Sequence, residues 1–209
     1  MEKLDLRKQF QALYSPSAKE ISLVEVPPFQ FAMLDGEIEP GNSPSTSPAF
    51  QDALQALYGV SYTLKFMSKQ RQDHPVDYSV MALEALWWIE GAAFDIKRPQ
   101  DWHWTAMIMQ PPHITHQMFD DGLTQLRRKK PNPSIDRLRL EVFHEGLSLQ
   151  IMHIGPYATE PVSLARMQAF AQEHGYTYRG KHHEIYLGDP RRADPARLKT
   201  ILRQPILKA

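Results

Sequence analysis

Phe29-Gln-Phe-Ala-Met-Leu-Asp35 mixes aromatic and aliphatic residues directly behind Pro27-Pro28, and this predicts a strand that begins after a breaker. The preceding residues read as a polar lead of roughly 20 positions. Glu39 to Pro48 holds three prolines, a glycine and four serines or threonines, so it is a surface loop of the kind that often covers a cleft. Ser47-Pro48 then opens a helix, serine as cap and proline in the first turn, with Phe50, Leu54, Leu57, Leu64 and Met67 at helical spacing. Tyr78 to Ile89 and Trp102 to Gln110 read as long strands, joined by a turn-rich stretch with Gly91 and Pro99 and closed by Pro111-Pro112.

In the second half, Ile114, Met118, Gly122 and Leu126 fall four apart, a narrow helical stripe that ends in Arg127-Arg128-Lys129-Lys130 and is stopped by Pro131 and Pro133. Ile135 to His144 and Leu147 to Ile154 are strand-like runs on either side of Glu145-Gly146, which suggests a hairpin. Thr159 is placed to cap a helix with Leu164, Met167 and Ala171 inward and Gly175 as its left-handed terminus. His182 to Leu187 is a further strand. Asp194-Pro195 starts a short turn, and Ile201 to Leu207 is a last extended piece that Pro205 assigns to a sheet edge.

Strand, helix, strand, strand thus occurs at 29–110 and again at 147–207, with a helix and strand over 113–145 between them. The expectation is one α+β domain over 1–209 built by internal duplication: two antiparallel sheets, helices on one side, and a ligand cleft where the sheets meet.

Composition narrows the function. Lys plus Arg and Asp plus Glu are 24 each, so no strong field of either sign points to nucleic acid or an anionic membrane surface. With no cysteine there is no thiolate nucleophile, disulfide or thiolate metal site, which fits the cytoplasm. The N-terminal stretch lacks a signal peptide's apolar run, and no segment has the length of a membrane span. Nine histidines invite a metal, yet none stands in an HExxH arrangement, and the pair His113 and His116 has no carboxylate to complete a set; no metal or cofactor is expected.

The candidate chemistry lies in carboxylates and aromatic rings. Strand alternation puts Glu184 on one face with His182 and Tyr186, and His183, Ile185 and Leu187 on the other; the pattern alone allows Glu184 to face solvent or a cleft. Glu84 shares its face with Leu86 and Trp88, a row that wants burial, so it is either hydrogen-bonded inside the sheet or in contact with a ligand. All four tryptophans lie within 87–104, with Trp102 and Trp104 on one face; core packing and a platform for flat or cationic ligands both account for such rings. After His153, Gly155-Pro156-Tyr157 marks a strand-to-helix corner where the Tyr157 hydroxyl either donates to a ligand or closes the corner.

Gly146-Leu-Ser-Leu-Gln-Ile-Met-His-Ile-Gly-Pro-Tyr157 followed by His182-His-Glu-Ile-Tyr-Leu-Gly-Asp-Pro190 resembles the C-terminal half of GyrI-like proteins. Asp77 to Trp88, Asp101 to Pro111 and Lys199 to Pro205 extend the resemblance to a stand-alone bacterial branch and to nearly the whole chain. The resemblance implies two strand-helix-strand-strand modules around a cleft for small organic molecules, often aromatic or cationic, with a carboxylate at its floor; the matching position is Glu184. Around that position, the rings, carboxylate and corner read from the sequence make Trp87, Trp102, Trp104, Glu84, His153 and Tyr186 ligand-binding candidates and Tyr157, beside Glu184, a catalytic one. Some stand-alone relatives open strained cyclopropane rings of DNA-alkylating natural products, which implies a hydrolase with Glu184 as general base as one alternative. Sequestration of hydrophobic cations, and modulation of a protein partner such as gyrase, are the others.

Overall fold

The computed structural model describes residues 2–209. Its N-terminal part is β1 (Glu2–Leu4), two single-turn helices α1 (Leu6–Gln9) and α2 (Gln11–Tyr14), and β2 (Ser22–Val26). There follow β3 (Phe29–Glu37), α3 (Pro48–Lys69), β4 (Val76–Tyr78), β5 (Leu83–Ile89), β6 (Trp102–Met109), α4 (His116–Lys129) and β7 (Arg139–Phe143). The chain ends with β8 (Gly146–Ile154), α5 (Glu160–Glu173), β9 (Tyr176–Tyr178), β10 (His182–Tyr186) and β11 (Lys199–Lys208).

Most of the predicted elements form for the predicted reasons. The Ser47 hydroxyl accepts from the Phe50 N–H with Pro48 in the first turn of α3, and Gly175 ends α5 at φ +68°. The Glu39 carboxylate reinforces the α3 start, bonded to the Ser47 hydroxyl and to the Ala49 N–H, so the proline-rich loop is tied to the helix it precedes. Gly36 is glycine because the Trp104 ring lies flat on it: a Cβ there would stand 2.2 Å from the ring.

Four expectations are corrected. Tyr78 to Ile89 is two strands, β4 paired with β1 and β5 in the main sheet, because residues 79–82 leave the ladder. The runs around Glu145-Gly146 form no hairpin: β7 pairs with β3, while β8 pairs with β2 and β11. Pro205 stands in no edge strand; its partner on one side changes there from β10, which ends opposite Arg203, to β9, which begins opposite Ile206, and this gap accommodates a residue without an N–H. The polar lead is folded, with Leu6, Leu13 and Tyr14 buried.

Among the described residues the main sheet runs β2-β8-β11-β10-β5-β6-β3-β7, with β9 added to β11. The order is symmetric about the β10–β5 pair: β3, β5, β6 with α3 on one side correspond to β8, β10, β11 with α5 on the other. In a flat sheet β2 and β3 would be about 29 Å apart, six spacings of about 4.8 Å. Residues 27–28 alone connect them, a reach of about 11 Å. The same holds for β7 and β8, joined by 144–145. The sheet therefore curls until its two edges approach, which gives it an outer and an inner face.

On the outer face, α3 packs Phe50 against Trp87 and Trp104, with centroids 5.2 and 5.1 Å apart, and α5 packs Met167 and Ala171 into a second cluster with Leu149, Ile151, Leu202 and Ile206. The inner face is filled by the N-terminal segment over a buried polar network. Tyr14 donates to Glu84 Oε1 at 2.7 Å; His183 Nε2 lies 3.0 Å from Glu84 Oε2, and its Nδ1 3.0 Å from Glu145 Oε1. Arg203 donates to Glu145, Gln150 and the Leu13 carbonyl, and Gln150 to the Ala12 carbonyl. Two acids and two bases thus neutralise each other in a dry interior, where a lone charge is prohibitive.

The network fixes a pH dependence of stability. Burial alone would lower the His183 pKa, but the Glu145 charge and the bonds to Glu145 and Glu84 outweigh it and raise the ring to about 9. Burial alone would raise Glu145, but His183 and Arg203 hold it down at about 2. The His183 contribution is complete below 6.5, the ordinary value, and is lost as pH rises toward about 9; that of Glu145 is complete above 4.5 and lost as pH falls toward about 2. Denaturant unfolding is expected to show the stability advantage of wild type over His183→Gln shrinking between pH 6.5 and 9. Arg203→Met, which leaves Glu145 facing one partner fewer, should cost about 3–5 kcal/mol near neutral pH.

Candidate functional site

Register assigns each candidate residue to a face. Opposed residues of an antiparallel pair share a face, and Glu184 is opposite Ala85 and Leu202, His182 opposite Trp87, and Tyr186 opposite Leu83 and Thr200. One strand further out, Trp87 is opposite Trp104, Ile89 opposite Trp102, and Thr200 opposite His153. Glu184, His182, Tyr186, Trp87, Trp102, Trp104 and His153 therefore all lie on the outer face, with Glu184 between the parts covered by α3 and α5. Glu84 is opposite Ile185 and belongs to the inner face, fully buried against Tyr14 and His183. The thickness of the sheet separates it from Glu184, so it is a structural member of the inner network and is withdrawn from the ligand-binding set.

Glu184 is 5% exposed and is held in place by a hydrogen-bond relay. Trp87 Nε1 donates to the Tyr186 hydroxyl at 3.0 Å, and that hydroxyl donates to Glu184 Oε2 at 2.6 Å. The relay aims the carboxylate, leaving Oε1 with His182 Nε2 at 3.4 Å. Burial first, then the Glu184 charge and bond, push the Tyr186 phenol well above its ordinary range, so it stays a donor.

A second carboxylate joins the site from α5. Glu160, the first residue of that helix, is 2% exposed, has Thr200 as its one favourable polar neighbour, and leaves its Oε1 without a partner. Burial and then the Glu184 charge raise its pKa well above the usual carboxylate range. Its position in the sequence gave no hint of this, because an acid in the first turn of a helix ordinarily reads as a solvated complement to the dipole. The only available signal was the apposition of the Gly155-Pro156-Tyr157 corner and β10, which needs the strand order.

The remaining candidates take different places. Tyr157 stands at the rim, 38% exposed, its ring edge-on to Tyr186 at 6.1 Å, and burial, Glu160 and Glu184 push its hydroxyl up to about 12. His153 braces the corner: Nδ1 is 3.0 Å from the Ser163 hydroxyl, and Nε2 is 3.1 Å from the Thr159 hydroxyl and 3.3 Å from the Pro156 carbonyl. Thr159 therefore bonds backward to the corner and gives α5 no side-chain cap. Trp104 is entirely buried beneath Phe50. Trp102 is 7% exposed and packs on Trp87 and on Phe94, whose ring also stacks on His182 at 4.7 Å. The connection after β5 thereby lays one aromatic ring over the site.

Two surface cavities, one of about 310 Å³ between α3 and α4 and one of about 400 Å³ beside β4, contain none of these residues. Their walls bring together no buried carboxylate, whereas the Glu184 site concentrates dry polar atoms and is filled by its own rings; the chemistry favours the latter. No group of acids and histidines among the described residues could hold a metal ion, and no helix there is long and apolar enough to cross a membrane.

The chain belongs to the GyrI-like small molecule binding domain family, whose model matches residues 19–206. An uncharacterized conserved protein from Listeria innocua is 36% identical over 98% of this chain and 100% of its own, with a TM-score of 0.87. Two structures described as a hydrolase from Listeria innocua are 33% and 35% identical over 98% and 99% of this chain and all of theirs, with TM-scores of 0.83 and 0.85. No curated protein matches the sequence.

If Phe94 closes the site, Phe94→Ala should raise acrylamide quenching of tryptophan fluorescence by uncovering Trp102. Because the ring is only partly buried, the stability loss should fall below the roughly 3–5 kcal/mol of a core Phe→Ala change. Unchanged quenching would leave Phe94 as packing alone.

Proposed function

We propose that this GyrI-like protein binds a flat, hydrophobic or cationic organic molecule over Trp102 and Tyr157, with the buried Trp87 behind them and Glu184 as the carboxylate at the floor of the site. The observation that carries this reading is the Trp87–Tyr186–Glu184 relay, a buried carboxylate oriented by two aromatic residues with one oxygen left toward His182. A carboxylate in so dry a place costs several kcal/mol unless something compensates it, and a ligand with a cation or an activated water does so. Flat rings stack on indoles without needing directional bonds, which suits xenobiotics of varied outline.

A second reading is favoured by the full-length relatives described as hydrolases. In it Glu184 takes a proton from water attacking a strained electrophile such as a cyclopropane conjugated with a carbonyl, and Tyr157 donates to that carbonyl. Ground-state sequestration and hydrolysis use the same residues and differ in whether the ligand is returned unchanged.

Glu184→Gln keeps the shape and the Tyr186 contact while removing the charge. Its affinity for a planar fluorescent cation such as ethidium should fall by about tenfold or more, equivalent to about 1.4 kcal/mol. Mass spectrometry of a spiro-cyclopropyl dienone incubated with wild type should show addition of one water, and turnover should fall by about 10²–10⁴-fold in the variant. Affinity and turnover that both survive the substitution would remove Glu184 from the site.

A further inference from the structure

Glu160 is a second carboxyl beside Glu184, in the place that the sequence pattern had offered to Glu84, which belongs to the inner face. It enters from the α5 end, opposite the strand that carries Glu184, and both side chains are at least nine-tenths buried. The only favourable polar neighbour of Glu160 is Thr200, and its buried Oε1 is left without any partner. Two anions sharing a dry pocket repel strongly, and the site relieves this by unequal support: Glu184 receives the Tyr186 hydroxyl, while Glu160 has an empty oxygen.

From this geometry we propose that Glu160 carries a proton at neutral pH and is the acid of the site, donating it to an oxygen of the bound molecule while Glu184 acts as the base. The proposal rests on the hydrolytic reading above and extends it to the substrate: a neutral electrophile whose reacting carbon is conjugated with, or bonded to, a hydrogen-bond-accepting oxygen. A permanent cation with no acceptor leaves the Glu160 proton unused. The groups facing Glu160 are consistent with this division. Glu184 and Tyr186 face it from β10 and Tyr157 from its own corner, while His153 on β8 is taken up by Ser163, Thr159 and Pro156. Asp189 acts on Tyr157 from the rim and holds Arg191 in an ion pair. The start of α5 favours an ionised acid, but dehydration and the Glu184 charge act against it and prevail.

The step balances. The water oxygen bonds to the electrophilic carbon as the bond from that carbon to its leaving atom breaks. Glu184 takes the water proton, and the released electron pair reaches the acceptor oxygen, which receives the Glu160 proton. One water is added, and solvent exchange on product release returns the two carboxyls to their starting states.

Two measurements decide it. In the unliganded protein at pH 7, infrared spectra should show the carbonyl stretch of a protonated carboxylic acid that disappears in Glu160→Gln. That variant mimics the protonated acid and should fold, with melting temperature as the check. A wild type without the band, or a band that survives in Glu160→Gln, overturns the assignment. With a spiro-cyclopropyl dienone, Glu160→Gln should lower kcat by about 10²–10⁴-fold and abolish the alkaline fall of the kcat profile, leaving KM little changed. An unaltered kcat or an unaltered alkaline limb overturns the donor role. A wild type inert toward the dienone overturns the hydrolytic reading and the donor step with it, while the infrared band still decides which carboxyl holds the proton.

Discussion

Two connections of two residues each, 27–28 and 144–145, join strands that stand at opposite ends of the sheet order, and much of the molecule depends on that constraint. A chain that short cannot cross a flat sheet, so the sheet bends and acquires an inside. The inside is filled by two single-turn helices and an inward-facing ion network. Glu145 belongs to one of the two connections, so the residue that closes the curl is also bonded to His183 and Arg203 at the centre of the sheet.

The outer face follows from the same bend. The α3 and α5 helices lie on the convex side over separate clusters, and the strip between them, along β10, receives no helix of its own. Side chains there must be satisfied by neighbours on the sheet, as Glu184 is by Tyr186 and Tyr186 by Trp87. A family whose members take up small molecules needs such a strip, where a foreign molecule can replace contacts that the protein makes only with itself.

Local pattern was enough to reveal α3, α4, α5 and seven of the main strands, because caps, prolines and apolar periods act within a few residues. It gave the face of Glu184, His182 and Tyr186 correctly because alternation is a property of one strand. What it missed depends on pairing between distant strands. The short strand β2 and the buried Tyr14 look polar until the curl supplies something to cover, and Glu145-Gly146 looks like a hairpin until each flanking strand is drawn to a different partner. Glu84 was correctly read as a carboxylate in an apolar row, but only the register with Ile185 shows that its row faces inward. Glu160 escaped for the converse reason: nothing in its own helix distinguishes it, and its burial is set by Thr200 and Glu184 from other elements.

Along β10 the two faces carry opposite duties at alternate positions: His182, Glu184 and Tyr186 outward, His183 and Ile185 inward. A single deletion or duplication in this five-residue strand would exchange them, thrusting Glu184 toward Glu84 and Glu145 while His183 swung out beneath Phe94. Substitutions at any of these positions disturb one centre, whereas a frame slip of one residue dismantles both at once. Tolerance to length change in this strand should accordingly be the lowest in the molecule, and natural variation there should run through exchange of side chains and never through gain or loss of a residue.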